Sequence, residues 1–249
     1  MKKWIVVLVV IAVAAGGFGL YQALKTDPNA LWAIVHDGCV KEEQAHGKPT
    51  PCSAVDLKDG WAVFKDKRGK TQVLLIPTTR VTGIEDPQIL RPNAPNYWQA
   101  AWDANLYVQQ RAPRMLRRDE LALAINSKDA RSQDQLHIHV DCVRVDVHNQ
   151  LHAEQVHLSE AWSDLTVNGA AYRARTLSRD ELHDDNVFEL VEKQLPPGEG
   201  MDQETVVITG ANLPLGKEGF DVLVGRGGVG GNSGGGESLQ DHACEIARE

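Results

Sequence analysis

The sequence predicts an α+β fold, an antiparallel sheet with packed helices, preceded by one N-terminal transmembrane helix. Residues Gln135 to Val140 alternate polar and aliphatic side chains, which is the period of a half-buried strand. Trp61–Phe64 and Gln72–Ile76 are apolar runs joined by a polar turn, as in a β-hairpin. The run Trp4–Leu20 carries no charge and is near the lower limit of about 17–25 residues for a membrane span.

Composition limits the class of protein. A chain of 249 residues that is 42% hydrophobic can build one large domain or two small ones. The net charge of −8 gives no general basic surface for nucleic acid, so no nucleic-acid partner is expected. We divide the chain into a membrane anchor, residues 1–24, and one exported domain, residues 25–249.

The N-terminal run has two interpretations. Lys2 and Lys3 favour a cytoplasmic N-terminus with the rest of the chain exported. Ala12–Ala14 is a passable cleavage site, but the apolar run is longer than the roughly 7–15 residues of a cleavable signal. An uncleaved anchor is therefore favoured over a removed signal peptide.

Four cysteines fit an oxidising compartment. We favour a Cys39–Cys52 disulfide because the two are close in sequence, which leaves Cys142 to pair with Cys244. Free buried thiols are the alternative. The sequence has no C-x-x-C, which argues against a cysteine zinc site.

The other elements follow in chain order. The first half predicts a short helix at Ala30–Val35, a loop closed by cysteines at Gly38–Cys52, the hairpin at Trp61–Ile76 and a long proline-rich loop at Thr78–Pro95. It then predicts an amphipathic helix at Tyr97–Gln110, a strand at Leu121–Asn126, a turn at Ser127–Ser132 and the histidine strand at Gln135–Val145.

The second half either extends the sheet or forms a related half. Ser178–Glu181 has the form of a capping box, and Asn186–Glu192 has a helical pattern. Thr205–Thr209 and Phe220–Val224 are typical of paired strands. Gly225–Gly236 lacks the phosphate-loop pattern, so we expect a solvated linker.

The pair His137 and His139 allows four interpretations. The two side chains could be merely exposed or hydrogen-bonded, or one could act as a general acid or base on water. A third possibility is a metal site. In the fourth, one histidine is a nucleophile. Further metal ligands are available without diagnostic spacing, namely His36, His148, His152 and His157.

The stretch resembles the histidine-triad motif, His-φ-His-φ-His-φ-φ. His137 matches the middle histidine and His139 the third, whereas Gln135 stands in the first place as a departure. Ser132 stands where that superfamily places a phosphate-binding serine, and Asn126 approximates the asparagine that ends the preceding strand. The resemblance implies a histidine-triad-like fold in which the middle histidine attacks phosphorus.

A more specific resemblance covers almost the whole chain. Four stretches are similar to the bacterial CDP-diacylglycerol pyrophosphatase family, namely Asn93–Trp102, Ala124–Ser127, Gln135–Cys142 and Leu239–Ile246. It implies hydrolysis of CDP-diacylglycerol, or a related nucleotide pyrophosphate, to CMP and phosphatidate in phospholipid metabolism. It also implies a single-pass protein of the bacterial inner membrane with its catalytic domain on the periplasmic side.

The resemblance also assigns roles to residues. His137 would carry the cytidylyl group, and His139 would contact the phosphate or protonate the leaving oxygen. Ser132 and Asn126 would bind non-bridging oxygens, and Gln135 would bind the bridging or leaving oxygen. No metal or cofactor is implied. The alternatives are a membrane-tethered nucleotide- or metal-binding module without catalysis, and a cytidylyl transferase; the oligomeric state is open.

Overall fold

The computed structural model describes residues 27–248 and is built on one sheet. Nine strands, all paired antiparallel, lie in the order β1-β2-β3-β5-β4-β8-β9-β7-β6. In chain order the strands are Ala54–Asp56, Trp61–Lys65, Val73–Pro77, Leu121–Ile125, Ile138–Cys142, Ser163–Val167, Ala170–Ser178, Glu204–Leu213 and Lys217–Arg226.

The helices of the described chain are short. In chain order the α-helices α1 to α7 are Ala30–Ala33, Lys41–His46, Tyr97–Asp103, Asn105–Gln109, Val145–Glu154, Arg179–Asp184 and Val187–Glu192. A π-helix joins α1 to α2, and six 3-10 turns lie elsewhere along the chain. The π-helix is Ile34–Val40, and the 3-10 turns are Pro87–Leu90, Arg118–Glu120, Met201–Gln203, Pro214–Gly216, Gly236–Leu239 and Glu245–Arg248.

The predicted fold class was wrong. Within residues 27–248 no helix has the length and apolar character needed to cross a membrane. A span needs about 20 residues, whereas α5, the longest of these α-helices, has 10. The run assigned to the transmembrane helix, Trp4–Leu20, lies outside the described residues. The fold is an antiparallel sheet with a few short helices.

The two halves of the sheet have the same internal order. The first half contributes β2-β3-β5-β4 and the second contributes β6-β7-β9-β8, each with helices between its two strand pairs. The halves meet where β4 pairs with β8, in a register that sets Ala124 opposite Val207. The second half therefore both extends the sheet and repeats the arrangement of the first, but no histidine lies on β9.

Two predictions about helical segments needed correction. The predicted loop Gly38–Cys52 is helical as far as His46, because the π-helix continues α1 directly into α2. The predicted helix Tyr97–Gln110 breaks at Ala104 into α3 and α4. The predicted hairpin is confirmed, with Val63 of β2 opposite Leu75 of β3.

The sheet carries two hydrophobic clusters. The main core includes Trp98 and Trp102 of α3, which pack against Phe188 and Phe220 respectively. The smaller cluster lies between the N-terminal helices and the hairpin, where Leu31 and Leu74 are both buried. Because residues opposite each other in an antiparallel pair share a face, Leu74 places its partner His139 on the face that the N-terminal helices cover.

Two disulfides link segments of the described chain. Cys39 is bonded to Cys52, and Cys142 to Cys244, the pairing that the sequence favours. The second bond joins the end of β5 to the C-terminal segment across 102 residues. The Gln240 side chain reinforces this attachment by donating to the carbonyl of His139 at 3.1 Å.

Part of the glycine-rich segment is packed against the domain, so the expectation that the whole segment is a solvated linker was wrong. Asn232 is buried, and its Oδ1 accepts the N–H of Gly234 at 2.8 Å. Gly234 has φ +78°, and a Cβ there would collide with the side chain of Ser127. Glycine thus lets the segment pass close to the turn after β4, and the chain then reaches Glu237.

Asp221 on β9 is a buried carboxyl in the second half. Its side chain is 2% exposed, and Gln155 Nε2 donates to its Oδ1 at 3.2 Å. Burial raises the pKa of Asp221 to about 7. Because this pKa is higher in the folded than in the unfolded chain, protonation of Asp221 contributes stability to the folded state, and this contribution is fully present below the unfolded pKa. That contribution is lost as pH rises through about 7.

We expect Asp221→Asn to stabilise the protein at pH 8 by about 2–4 kcal/mol, because the amide cannot ionise and its oxygen still accepts from Gln155. Near pH 4 the difference should nearly vanish. Urea unfolding of both proteins at the two pH values measures the effect. An equal change at both pH values would contradict the assignment to ionisation of Asp221.

Candidate active site

His137 lies directly before β5 and is 8% exposed. Its Nδ1 lies 2.7 Å from the backbone carbonyl of Gln135. A carbonyl oxygen only accepts hydrogen bonds, so Nδ1 carries the proton and the lone pair is on Nε2. Burial lowers the pKa of His137, which favours the neutral ring. The side chain is therefore held as a neutral imidazole with a nucleophilic Nε2.

His139 is the next residue on the same face, and its ring centroid lies 4.9 Å from that of His137. Burial first, and then the neighbouring His137, hold the pKa of His139 well below its usual value. The Gln72 amide Nε2 lies 2.9 Å from His139 Nδ1. When that amide donates to Nδ1, the ring proton is on Nε2. Within residues 27–248 this buried Nε2 has no hydrogen-bond partner, so it can donate to a ligand.

Glu237 is a site residue that the sequence analysis did not identify. Its carboxylate Oε2 lies 3.2 Å from His139 Nδ1, and its backbone N–H donates to Asn126 Oδ1 at 3.2 Å. Its other oxygen is 3.6 Å from the guanidinium of Arg68. A carboxylate beside Nδ1 stabilises the charged form of an imidazole, so Glu237 can support His139 whenever that ring takes up a proton.

The two histidines open into a cleft of about 390 Å³. Asn126, which follows β4 and is buried, and Ser132, which is exposed in the turn before β5, both line it. The structure therefore brings together four of the five residues that the sequence predicts to contact substrate.

Gln135 is the residue that the structure places elsewhere. Its side chain is fully buried and does not line the cleft. Its Nε2 donates to the carbonyls of Pro77 and Thr79, at 3.0 and 2.9 Å. These carbonyls belong to the last residue of β3 and to the loop after it, and buried carbonyls require partners. Gln135 thus fixes the chain just before His137, a positioning role rather than a contact with phosphate.

The cleft has two chemically different walls. One is apolar and comes from α1, the π-helix and the hairpin: Leu31, Ile34, Phe64 and Leu74. The other is charged and comes mainly from the turn after β2: Asp66, Lys67, Arg68 and Glu237. A ligand with an uncharged organic part and a charged phosphate part matches this division.

A buried carboxylate secures the C-terminal side of the site. Asp141 on β5 is fully buried and accepts the Thr71 hydroxyl at 2.6 Å. His242 Nδ1 lies 2.9 Å from its other oxygen, and this hydrogen bond raises the pKa of His242. The contact ties the C-terminal segment to the strand that carries the histidines.

The metal-site alternative finds no ligand set in the described part of the chain. Across residues 27–248, no group of three or more His, Cys, Asp or Glu side chains could hold a metal ion. His148 Nε2 lies 3.1 Å from Asp119 Oδ2, and the ring of His152 on α5 lies near the ring of His148. Neither histidine lines the cleft.

Two comparisons with known proteins indicate the same family. A family model described as CDP-diacylglycerol pyrophosphatase matches residues 26–248. A CDP-diacylglycerol pyrophosphatase from Yersinia pestis is 32% identical over 249 residues, covering 98% of this chain and 95% of the relative.

Proposed function

This chain belongs to the CDP-diacylglycerol pyrophosphatase family and is a hydrolase of the CDP-diacylglycerol anhydride in phospholipid metabolism, and we propose that it works through a cytidylyl group carried on His137. The observation that carries the proposal is the hydrogen bond from His137 Nδ1 to the carbonyl of Gln135, at 2.7 Å. It fixes the tautomer, and with it the nitrogen that attacks.

The first displacement is at the cytidine-side phosphorus. The Nε2 lone pair of His137 forms the N–P bond, while the bond from phosphorus to the bridging oxygen breaks and its electron pair leaves with phosphatidate. Asn126 and Ser132 donate to the non-bridging oxygens. His139 donates a hydrogen bond from Nε2 to the oxygen that leaves, and the ring stays neutral and keeps its proton.

The second displacement regenerates the enzyme. Water attacks the same phosphorus, the N–P bond breaks, and the lone pair returns to His137 Nε2. CMP departs, and the proton from water passes to solvent. Dividing one difficult step into two easier ones is the general advantage of covalent catalysis.

Trapping tests this proposal. Acid-labile label from cytidine-labelled CDP-diacylglycerol should appear on the wild-type protein during turnover and map to the peptide that contains His137. The same experiment with diacylglycerol-labelled substrate should leave no label. Label from the lipid half, or on another residue, would contradict the mechanism.

The pH dependence follows from the lowered pKa of His137. Attack requires the neutral ring, so kcat/KM should rise with pH through this pKa, and the acidic midpoint should lie below the ordinary value of 6.5. At pH 6.0 an unshifted histidine would be only about one quarter neutral, whereas we expect the enzyme to keep a larger fraction of its plateau value of kcat/KM. A midpoint at or above 6.5 would show that burial does not protect the nucleophile.

We further propose that the domain works outside the cytoplasm. All four cysteines are paired, and disulfides persist mainly in oxidising compartments. Alkylation of protein taken directly from cells, without reduction, should find no reactive thiol. Quantitative alkylation of the four cysteines would place the native protein in a reducing compartment.

A further inference from the structure

The turn between β2 and β3 brings two cations to the cleft. Lys67 and Arg68 both line it, together with His137 and His139. The mechanism above gives these cations no role. Both side chains are exposed at the mouth of the cleft, where a ligand can reach them.

The backbone of this turn is fixed. Lys65 Nζ lies inside it and donates to the carbonyl of Gly69 at 3.1 Å. The N–H of Arg68 donates to Asp66 Oδ1 at 2.9 Å, and the N–H of Lys70 donates to the carbonyl of His242 at 3.3 Å. The two cations therefore extend from a preorganised loop.

Gly69 allows this close approach. Its φ is +62°, and a Cβ there would lie 2.6 Å from the backbone oxygen of His242. Other residues would have to move the turn away from the C-terminal segment. The position of Lys67 and Arg68 at the cleft thus depends on a tight contact between two distant parts of the chain.

The chemistry of the proposed reaction calls for cations at this place. A pyrophosphate has two phosphorus atoms, and the one that His137 does not attack leaves as a phosphomonoester. Its second pKa is about 6, so the leaving group accumulates nearly two negative charges at neutral pH. Preorganised cations stabilise such developing charge in the transition state.

We propose that Lys67 and Arg68 form the subsite for this second phosphate, and that they make a phosphate leaving group a requirement for fast turnover. The proposal rests on the proposed function. Within residues 27–248 the Arg68 guanidinium has one ion-pair partner, Glu237 Oε1, at 3.6 Å. A phosphate can accept two hydrogen bonds from a guanidinium, and it would draw Arg68 away from Glu237. Glu237 then remains with His139, which its Oε2 already approaches to 3.2 Å.

The test compares leaving groups in K67A, R68A and the double variant. The first substrate is CDP-diacylglycerol in mixed micelles. The second is CDP-glycerol, which keeps the phosphate leaving group but has no lipid. The third is the 4-nitrophenyl ester of CMP, whose leaving group has no phosphate. Lys58→Ala and Arg91→Ala are matched controls, since both side chains are exposed and neither lines the cleft.

We expect the double variant to lose about 10²-fold in kcat/KM on both pyrophosphates, as for removal of a preorganised electrostatic contact. Its activity on the nitrophenyl ester should stay within about twofold of wild type, and the controls should behave as wild type on all three substrates. Inhibition by glycerol phosphate should weaken in parallel, since that phosphomonoester would occupy the same subsite.

Two outcomes would overturn the proposal. Equal loss on all three substrates would mean that the turn supports the fold of the site and does not recognise the leaving phosphate. Loss on CDP-diacylglycerol alone would mean that the cations bind the anionic lipid surface. A different result would show that the proposed function itself is wrong: the His137→Ala variant would still hydrolyse CDP-glycerol.

Discussion

Replacing His137 with alanine is expected to reduce CMP release from CDP-diacylglycerol by at least about 10³-fold, because no other group can take over the covalent step. The variant should fold normally, since removing a ring that lines an open cleft leaves the core of the sheet unchanged. Substrate binding should survive, because the two walls of the cleft remain. The loss should therefore appear in kcat and not in KM.

The matched control for this variant is His183→Ala. His183 is exposed on α6, away from the cleft, so its removal tests whether loss of any histidine has an effect. Unchanged unfolding by urea in both variants would confine the difference to catalysis. A His137→Ala protein with more than about one tenth of wild-type kcat would remove this residue as the nucleophile.

Removal of the Cys142–Cys244 disulfide should have the largest effect on stability. The bond closes 102 residues, and the chain-entropy value for a loop of about 100 residues is near 4.7 kcal/mol. C142A/C244A should therefore lose about 4–5 kcal/mol in urea unfolding. Turnover should fall as well, because the C-terminal segment brings Glu237 to His139.

C39A/C52A is the comparison for this double variant. Its loop has a sequence separation of only 13, for which the same treatment gives about 3 kcal/mol. We expect it to be the more stable variant and to keep Glu237 in place. If C142A/C244A were as stable as wild type and fully active, the C-terminal segment would be held by its other contacts alone.

The sequence predicted the histidine pair well because its signal is local. Alternation along β5 shows which residues share a face, and both rings do line one cleft. The same alternation misplaced Gln135, since the ladder between β3 and β5 begins only at Ile138. Before that point the chain follows the end of β3 and the loop after it, where the carbonyls of Pro77 and Thr79 accept hydrogen bonds from the Gln135 side chain.

Glu237, Lys67 and Arg68 could not be found by spacing. They reach the cleft from two distant segments, and no periodic pattern links them to the histidines. The favoured pairing of Cys142 with Cys244 was the available signal, because it places the C-terminal segment beside β5. The same pairing, extended to the residues before Cys244, would have suggested that this segment contributes to the site.

Strands β6 and β7 were not predicted, although the sequence between them is a hairpin signal. They are joined by Asn168 and Gly169, both with positive φ, and Asn-Gly is a strong hairpin sequence. Helix α5 had little signal, since only Val147 and Leu151 are buried and its other positions are mostly polar. Its position depends on tertiary contacts that a single sequence does not display.

The stereochemical course at the cytidine-side phosphorus tests the central claim most directly. CDP-diacylglycerol that is chiral at this phosphorus through isotopic oxygen and sulfur would be hydrolysed in labelled water, and the configuration of the nucleotide product determined. Each in-line displacement inverts phosphorus, so transfer to His137 followed by transfer to water predicts net retention. Net inversion would mean that water attacks the anhydride directly and that His137 never bonds to phosphorus.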